Sequence, residues 1–299
     1  MIGWRGAGAC AALIVALTTG LSAGQSKNRF ADINLPVLLE RAGARVTEFF
    51  ARAQSLVCLE RVSLQRLGLG YSADGPPRFV ESELRLSWEP TEENPTPTEA
   101  KTLRQVLRVN GGKPRKNDFN NCTTPEQSES ETQPLSILLP EQRLKHTFTV
   151  EGRDRIDGRS TLVIAFREIK KPVVDVSLVD DKEDCVSYDV DGGMRGKVWI
   201  DEETMDVLRL DKALIGLVEI PLPKKATRRG GALSWTMERW DSTTRFKRVS
   251  FQNPDESLVL PVSQSTLQIT RGAGTPRLRT QTEYKDYRRF LTGARILPQ

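Results

Sequence analysis

The stretch "GKVWIDEETMDVLRL", residues 196–210, decides how this chain is read. Two short runs dense in β-formers, "KVWID" and "VLRLD", flank a cluster of charges, which is the pattern of a β-hairpin. It holds no nucleophile, metal-ligand cluster or phosphate loop. The most regular segment of the chain is therefore architectural.

Working outward, the same period-two alternation recurs. In residues 78–90 Val80, Leu84, Leu86 and Trp88 share one face, while Glu81, Glu83, Arg85 and Ser87 share the other. Residues 102–114 place Leu103, Leu107 and Val109 together, with Asn110-Gly111 as the turn. Residues 143–152 align Leu144, His146, Phe148 and Val150, and residues 161–169 form the next run across the turn-rich "RDRIDGRS". Further strands are expected at 213–220, 233–251, 256–269 and 277–290. Together these predict a mostly antiparallel meander.

One segment has a helical period. Across 32–57 the apolar residues from Leu35 and Leu38 to Phe50 and Val57 fall on one stripe. Asp32 or Asn34 is placed to cap it, and Pro36 suits its first turn. A helix covers about 10–12 Å of width, whereas each strand adds roughly 4.8 Å. A sheet of this size must twist and curl. The expected fold is mainly β with one long N-terminal helix (α+β): a curled antiparallel sheet, a half-barrel or open barrel covered by the helix. Its apolar face should exceed what one helix shelters. Leu84, Leu86, Trp88, Leu107, Phe148, Leu208 and Leu210 are the candidate wall of the remaining cavity, although the same residues would serve as ordinary core.

The chain begins with one positive charge, Arg5, an apolar run from Ala7 to about Leu21 and then small residues. Roughly 15 apolar residues are too few for a bilayer span, so residues 1–24 read as a secretory signal. A soluble, exported chain, 25–299, is expected as a single β-rich domain in the periplasm or outside the cell, with no transmembrane span. Mobile loops are expected at 89–101, which is acidic and proline-rich, and at 115–134. The formal net charge of +5 is spread along the chain, with one dense run, "KKATRR" at 224–229. No basic face interleaved with aromatics points to nucleic acid. Weak attraction to anionic headgroups is compatible with that run.

Export permits disulfides. Cys58 sits in "SLVCLER", read as the apolar end of the helix, and is expected to be a buried thiol. Cys122 and Cys185 lie in polar sequence and are the candidate pair. Their loop of about 64 residues would contribute roughly 4 kcal/mol in the chain-entropy model; the alternative is that all three stay reduced.

Several runs together, "LRQVLRVNGGKP", "LSILLPEQRLKHTFTVEG", "RGKVWIDEETMDVLRLD" and "ESLVLPVSQSTLQITRGAG" with "TQTEYKDYRRFLTGARI", resemble a group of uncharacterised exported bacterial proteins. Cys122 and Cys185 stand where that group has cysteines. The hairpin, with Trp199, Asp201 and Leu208 in matching places, is similar to one in periplasmic lipoprotein carriers of the LolA-like type. That resemblance implies an open half-barrel lidded by helices that holds acyl chains. The present chain is longer than those carriers, and its cysteines are not part of their pattern.

Catalytic chemistry finds little support. The single histidine, His146, lies on the apolar side of a strand, and no G-x-S-x-G elbow occurs. One histidine with scattered cysteines makes a poor zinc site. The carboxylate-rich runs 175–185 and 188–193 read as solvated turns; an EF-hand starting at Asp189 would meet Ile200 at its twelfth position. No metal or cofactor is expected. The leading expectation is a non-catalytic envelope protein binding a lipid, a lipoprotein acyl chain or another apolar ligand. The alternative is a structural or regulatory module with a sealed core and an envelope protein partner. A carboxylate hydrolase is the third.

Overall fold

The computed structural model describes residues 33–53, 55–87, 101–115, 118, 135–178, 186–225, 233–252, 255–272 and 277–289. The expected signal segment 1–24, Trp88, Cys122 and Cys185 lie outside the described residues, as does most of the two expected loops. In chain order the elements are α1 (Leu35–Arg52), β1 (Leu56–Arg66), β2 (Arg78–Ser87), β3 (Lys101–Val109), a 3-10 turn (Ser136–Leu138), α2 (Pro140–Arg143), β4 (His146–Ile156) and β5 (Arg159–Glu168). They continue as β6 (Val173–Leu178), β7 (Val186–Asp191), β8 (Met194–Asp201), β9 (Val207–Leu214), β10 (Val218–Pro221), β11 (Ser234–Gln252), β12 (Asp255–Arg271) and β13 (Arg277–Arg289).

The 196–210 hairpin is β8 and β9. Its charged cluster is a turn held by Asp201, whose Oδ1 accepts the Glu203 and Thr204 N–H groups at 3.0 and 2.8 Å. Arg159 Nε reaches the other oxygen at 2.7 Å, and Met205 takes the left-handed conformation, φ 63°. From this hairpin one antiparallel sheet spreads both ways, in the order β3-β2-β1-β13-β12-β11-β9-β8-β5-β4, with β10 paired to β11. The terminal strands β3 and β4 do not pair with each other, so the sheet is not closed into a barrel. Asn110-Gly111 and Asp157-Gly158 both have positive φ, as the tight turns at β3 and between β4 and β5 require.

Asn34 caps α1, accepting the Val37 N–H at 3.3 Å, and Pro36 lies in the first turn. The helix ends earlier than its sequence period suggests. Ser55 adopts φ 56°, and the chain enters β1, so Cys58 lies in a strand rather than at a helix end. Leu56 and Cys58 then point into the same core as the helix residues Leu38, Leu39, Ala42, Val46 and Phe50.

Bulges overturn two face assignments made from strict alternation. On β3, Glu81 pairs with Arg108 but Ser82 pairs with Val106, leaving Leu107 as the extra residue. Val109 is therefore buried on the side of Arg104, while Leu103 and Leu107 are 54% and 42% exposed. On β9, Trp199 pairs with Arg209 and Ile200 with Val207, so Leu208 has no ladder partner. Val207 and Leu210 join the main core with Ile200 and Val198; Leu208 is buried apart from it. One inserted residue reverses parity.

The carboxylate-rich segment 173–191 also differs from the turn reading. It forms the β6–β7 hairpin, a separate two-stranded sheet. Val174, Val176, Tyr188 and Val190 face a second small core of Leu214, Val218, Ile220 and Met237, and Asp175, Asp189 and Asp191 face water. The cover of the large sheet is thus three pieces: α1, the 135–143 segment and this hairpin.

Two close approaches fix the layers. A Cβ on Gly43 would lie 2.6 Å from the Leu138 carbonyl oxygen, so α1 meets the 3-10 turn at backbone distance. A Cβ on Gly196 would lie 1.9 Å from the Asp211 carbonyl oxygen and 2.6 Å from Phe166. Gly196→Ala is expected to cost about 3 kcal/mol by overpacking and backbone displacement, read as a lowered denaturation midpoint with little change in slope.

Candidate binding surfaces

Beneath α1 the concave face is built from Leu56, Leu84, Leu86, Ile164, Val198, Leu210 and Leu260, all buried. Leu84, Leu86 and Leu210 of the expected cavity wall are in this core, and Phe148 packs half-buried against its margin. The apolar stripe of α1 fills the concavity itself. Where the helix meets the sheet, one hollow among the described residues measures about 40 Å³ and is lined by Val46, Phe49, Leu135, Met205, Val207 and Leu258 among others. That admits a few water molecules, not a hydrocarbon tail.

Ion pairs tie the rim of α1 to the sheet. Asp206, buried in the β8–β9 turn, accepts from Arg45 of α1 at 3.0 Å and from Arg248 of β11 at 2.6 Å. A turn further along, Glu48 bonds Arg52 at 3.0 Å and also pairs with Arg45. Arg52 meets Glu256 of β12 at 3.3 Å, and Glu256 binds Arg289 of β13. Burial raises the Glu48 carboxyl, yet Arg52 and Arg45 outweigh it and hold Glu48 below its usual range. The hairpin that organises the sheet thereby also anchors its lid.

A second polar group lies wholly inside. Arg104 of β3 donates to Glu60 of β1 at 2.5 and 3.0 Å, both residues being almost fully buried. Glu60 stands opposite Ser82 on β2 and Tyr284 on β13; the Ser82 hydroxyl has no hydrogen-bond partner. Cys58 is two residues away. Burial, then the Glu60 charge, push its thiol up to about 12, against the opposing Tyr287 hydrogen bond and Arg104 charge. Tyr287, which donates to the Pro261 carbonyl at 2.6 Å, is raised chiefly by burial. This arrangement protonates the thiol rather than activating it.

His146 is a packed residue. Its Nδ1 lies 2.8 Å from the Gln142 carbonyl oxygen, and its ring meets Phe166 edge-on at 5.8 Å. Among the described residues no group of three or more His, Cys, Asp or Glu side chains is placed to hold a metal.

The outer face offers a different surface. A hollow of about 570 Å³ lies over β2, β1 and β13, lined by Phe79, Arg61, Glu81, Ser63, Gln281 and Glu283, with Val62 and Val80 in its floor. Arg61 and Glu81 pair across it at 2.9 Å. Beside it, Leu103 and Leu107 stand exposed on β3, which ends the sheet. Sequence alternation placed Leu103, Leu107 and Val109 together inside; Leu103 and Leu107 face out, and the bulge turns Val109 inward. Arg104 carried a signal that could have found it: a charged residue inside the strand period.

No protein-family model matches the sequence, and no curated protein matches it. Solved structures do. A domain described as an outer membrane lipoprotein-sorting protein from Vibrio parahaemolyticus is similar at 11% identity, covering 86% of this chain and 94% of that one, with TM-score 0.35. A LolA superfamily protein from Nitrosomonas europaea is similar at 9% identity, covering 89% and 98%, with TM-score 0.31. MucB in complex with MucA is similar at 10% identity, covering 85% and 99%, with TM-score 0.23. Among the described residues no helix is long and apolar enough to cross a membrane.

The two charge clusters should respond differently to truncation. Glu60→Ala removes the carboxylate that faces the buried Arg104 guanidinium and is expected to cost about 3–5 kcal/mol. Asp206→Ala frees two arginines that are already half in water, and should cost about 1–2 kcal/mol. Equilibrium unfolding of both variants checks the order.

The Cys58 thiol should resist a thiol reagent at pH 8 in the folded chain and react after denaturation. Because its folded value is raised from 9.0 to about 12, its contribution is complete below pH 9. It is lost as pH rises through that window, and the loss should be shallower in Cys58→Ala.

Proposed function

We propose that this chain is a non-catalytic, exported module of the cell envelope that keeps its core sealed and binds a protein partner through the outer face and free edge at β2–β3. The observation that carries this reading is the filled concavity: Leu38, Leu39, Val46 and Phe50 occupy the face where a ligand would lie. Magnitudes favour the seal. Burying those four large side chains contributes roughly 6–12 kcal/mol. An acyl chain gains about 0.8 kcal/mol per methylene on leaving water, but almost nothing on leaving a bilayer. A lipid tail drawn from a membrane would not offset the displacement of α1.

The edge strand supports the partner. An extended segment added to β3 would complete its hydrogen-bonding side, and its alternate apolar side chains would meet Leu103, Leu107 and Phe79. Arg61, Glu81 and Glu283 would supply a polar rim around that contact.

A second reading is favoured by the sheer extent of apolar sheet under one helix: an acyl-chain carrier that opens by lifting α1. It predicts co-purifying lipid in native mass spectrometry and uptake of added fatty acid or lipopeptide. The sealed module predicts clean apoprotein and cross-links from β3 to a fixed envelope protein. Leu103→Glu with Leu107→Glu should weaken that cross-linking at least tenfold and shift stability by less than about 0.5 kcal/mol. Lipid in the purified protein, with unchanged cross-linking in the double variant, would overturn the proposal.

A further inference from the structure

Of the eleven exposed large apolar residues among the described residues, six lie in turns between the strands. Leu69, Leu144, Ile169, Leu217 and Leu233 are 86, 83, 64, 69 and 80% exposed, and Tyr71 is 54% exposed. They belong to different turns, yet the strand registers bring those turns to the same end of the sheet. Arg66 pairs with Leu278 and Ile269 with Arg277, Thr236 pairs with Arg271, Met194 with Leu214, and His146 with Glu168. The turns just beyond these pairs form one rim. The turns at the other end, 157–158 and 202–206, contain none of the exposed large apolar residues.

Charge divides the same way. Lys113, Lys145, Lys170, Lys171, Lys224 and Lys225 are exposed on the apolar rim. The acids among its described turn residues are Asp74 and Asp118, and Lys170 is paired with Asp191 at a strand end. The described opposite turns carry no lysine, and their acids Asp157, Glu202 and Asp206 are paired with Lys247, with Arg153 and with both Arg45 and Arg248, respectively. Ile169 and Lys145 are joined directly, the Ile169 N–H donating to the Lys145 carbonyl at 2.9 Å. Isolated surface leucines are ordinary. Leucines on separate turns at one end, interleaved with lysines, mark that end as distinct.

The geometry points to this rim as a docking surface for an anionic lipid bilayer: the leucine tips enter the headgroup layer and the lysines lie against phosphate. A bilayer suits the pattern better than a compact protein partner, because the tips belong to independent turns distributed along one end of a ten-strand path. Each lysine near an anionic surface is worth about a factor of five, and salt screens that share. The inference goes beyond the proposed function and is independent of what the concave face holds.

Hydrogen exchange of the full chain, with and without vesicles, tests it locally, so adhesion through the apolar N-terminal segment is not mistaken for rim binding. Vesicles of phosphatidylethanolamine and phosphatidylglycerol should slow exchange in turns 68–72, 144–145 and 215–217, and leave 157–158 and 202–204 unchanged. Phosphatidylcholine vesicles should protect the rim much less. Leu144→Ser with Leu217→Ser should reduce rim protection at least tenfold, and Lys170→Glu with Lys171→Glu about twentyfold or more, each with an unchanged unfolding midpoint. Vesicle binding without rim protection would overturn the proposal. So would equal protection by neutral vesicles after both substitutions, or rim protection only by envelope protein extract, which would assign the surface to a protein.

Discussion

An open sheet with an apolar concave face must be covered, and in this chain the cover is tied down at Asp206. That carboxylate sits in the turn of the 196–210 hairpin and receives Arg45 from α1 and Arg248 from β11. It joins the helix, the centre of the sheet and a long neighbouring strand in one place. Burial of the α1 stripe supplies the stabilisation; the ion pairs set where along the sheet the helix lies. Asp201, five residues earlier, fixes the turn that presents Asp206. The charges that interrupt the hairpin in the sequence therefore have a purpose that its strands do not reveal.

The apolar stripe of α1 is buried in one core with the concave face of the sheet. Three covers share the work: α1, the 135–143 segment and the β6–β7 hairpin. Once the concave face is closed, the accessible chemistry moves to the convex face, the free edge at β3 and the turns. The polar pair inside the core belongs to the same logic. Glu60 and Arg104 bridge β1 to β3 across β2, and their removal from water is tolerable only because each satisfies the other. Cys58 and Tyr287 next to them are held neutral by that environment.

Much of this was legible from residues. The hairpin, the α1 stripe with its Asn34 cap, the Asn110-Gly111 and Asp157-Gly158 turns and the long antiparallel runs all follow from local periodicity and turn chemistry. β1 was hidden because its apolar start continues the helical stripe without a proline or glycine to break it. β6 and β7 were hidden because acidic outer positions dominate their composition, although Val174, Val176, Tyr188 and Val190 keep the alternation. Of the candidate wall, Leu84, Leu86 and Leu210 lie in the main core, Leu208 is buried outside that cluster, and Leu107 is exposed.

The sequence by itself determined the class of fold, because hydrophobic period and turn propensity act over a few residues. Only the tertiary structure decided which face each residue takes beyond a bulge, since one unpaired residue on β3 or β9 exchanges inside for outside with no local signature. It also decided that the concavity is filled, because that depends on the sum of three covers drawn from distant parts of the chain. Finally, it set the leucine and lysine turns at one end, since antiparallel register, not nearness in sequence, puts Leu69, Leu144 and Leu217 at the same end of the sheet.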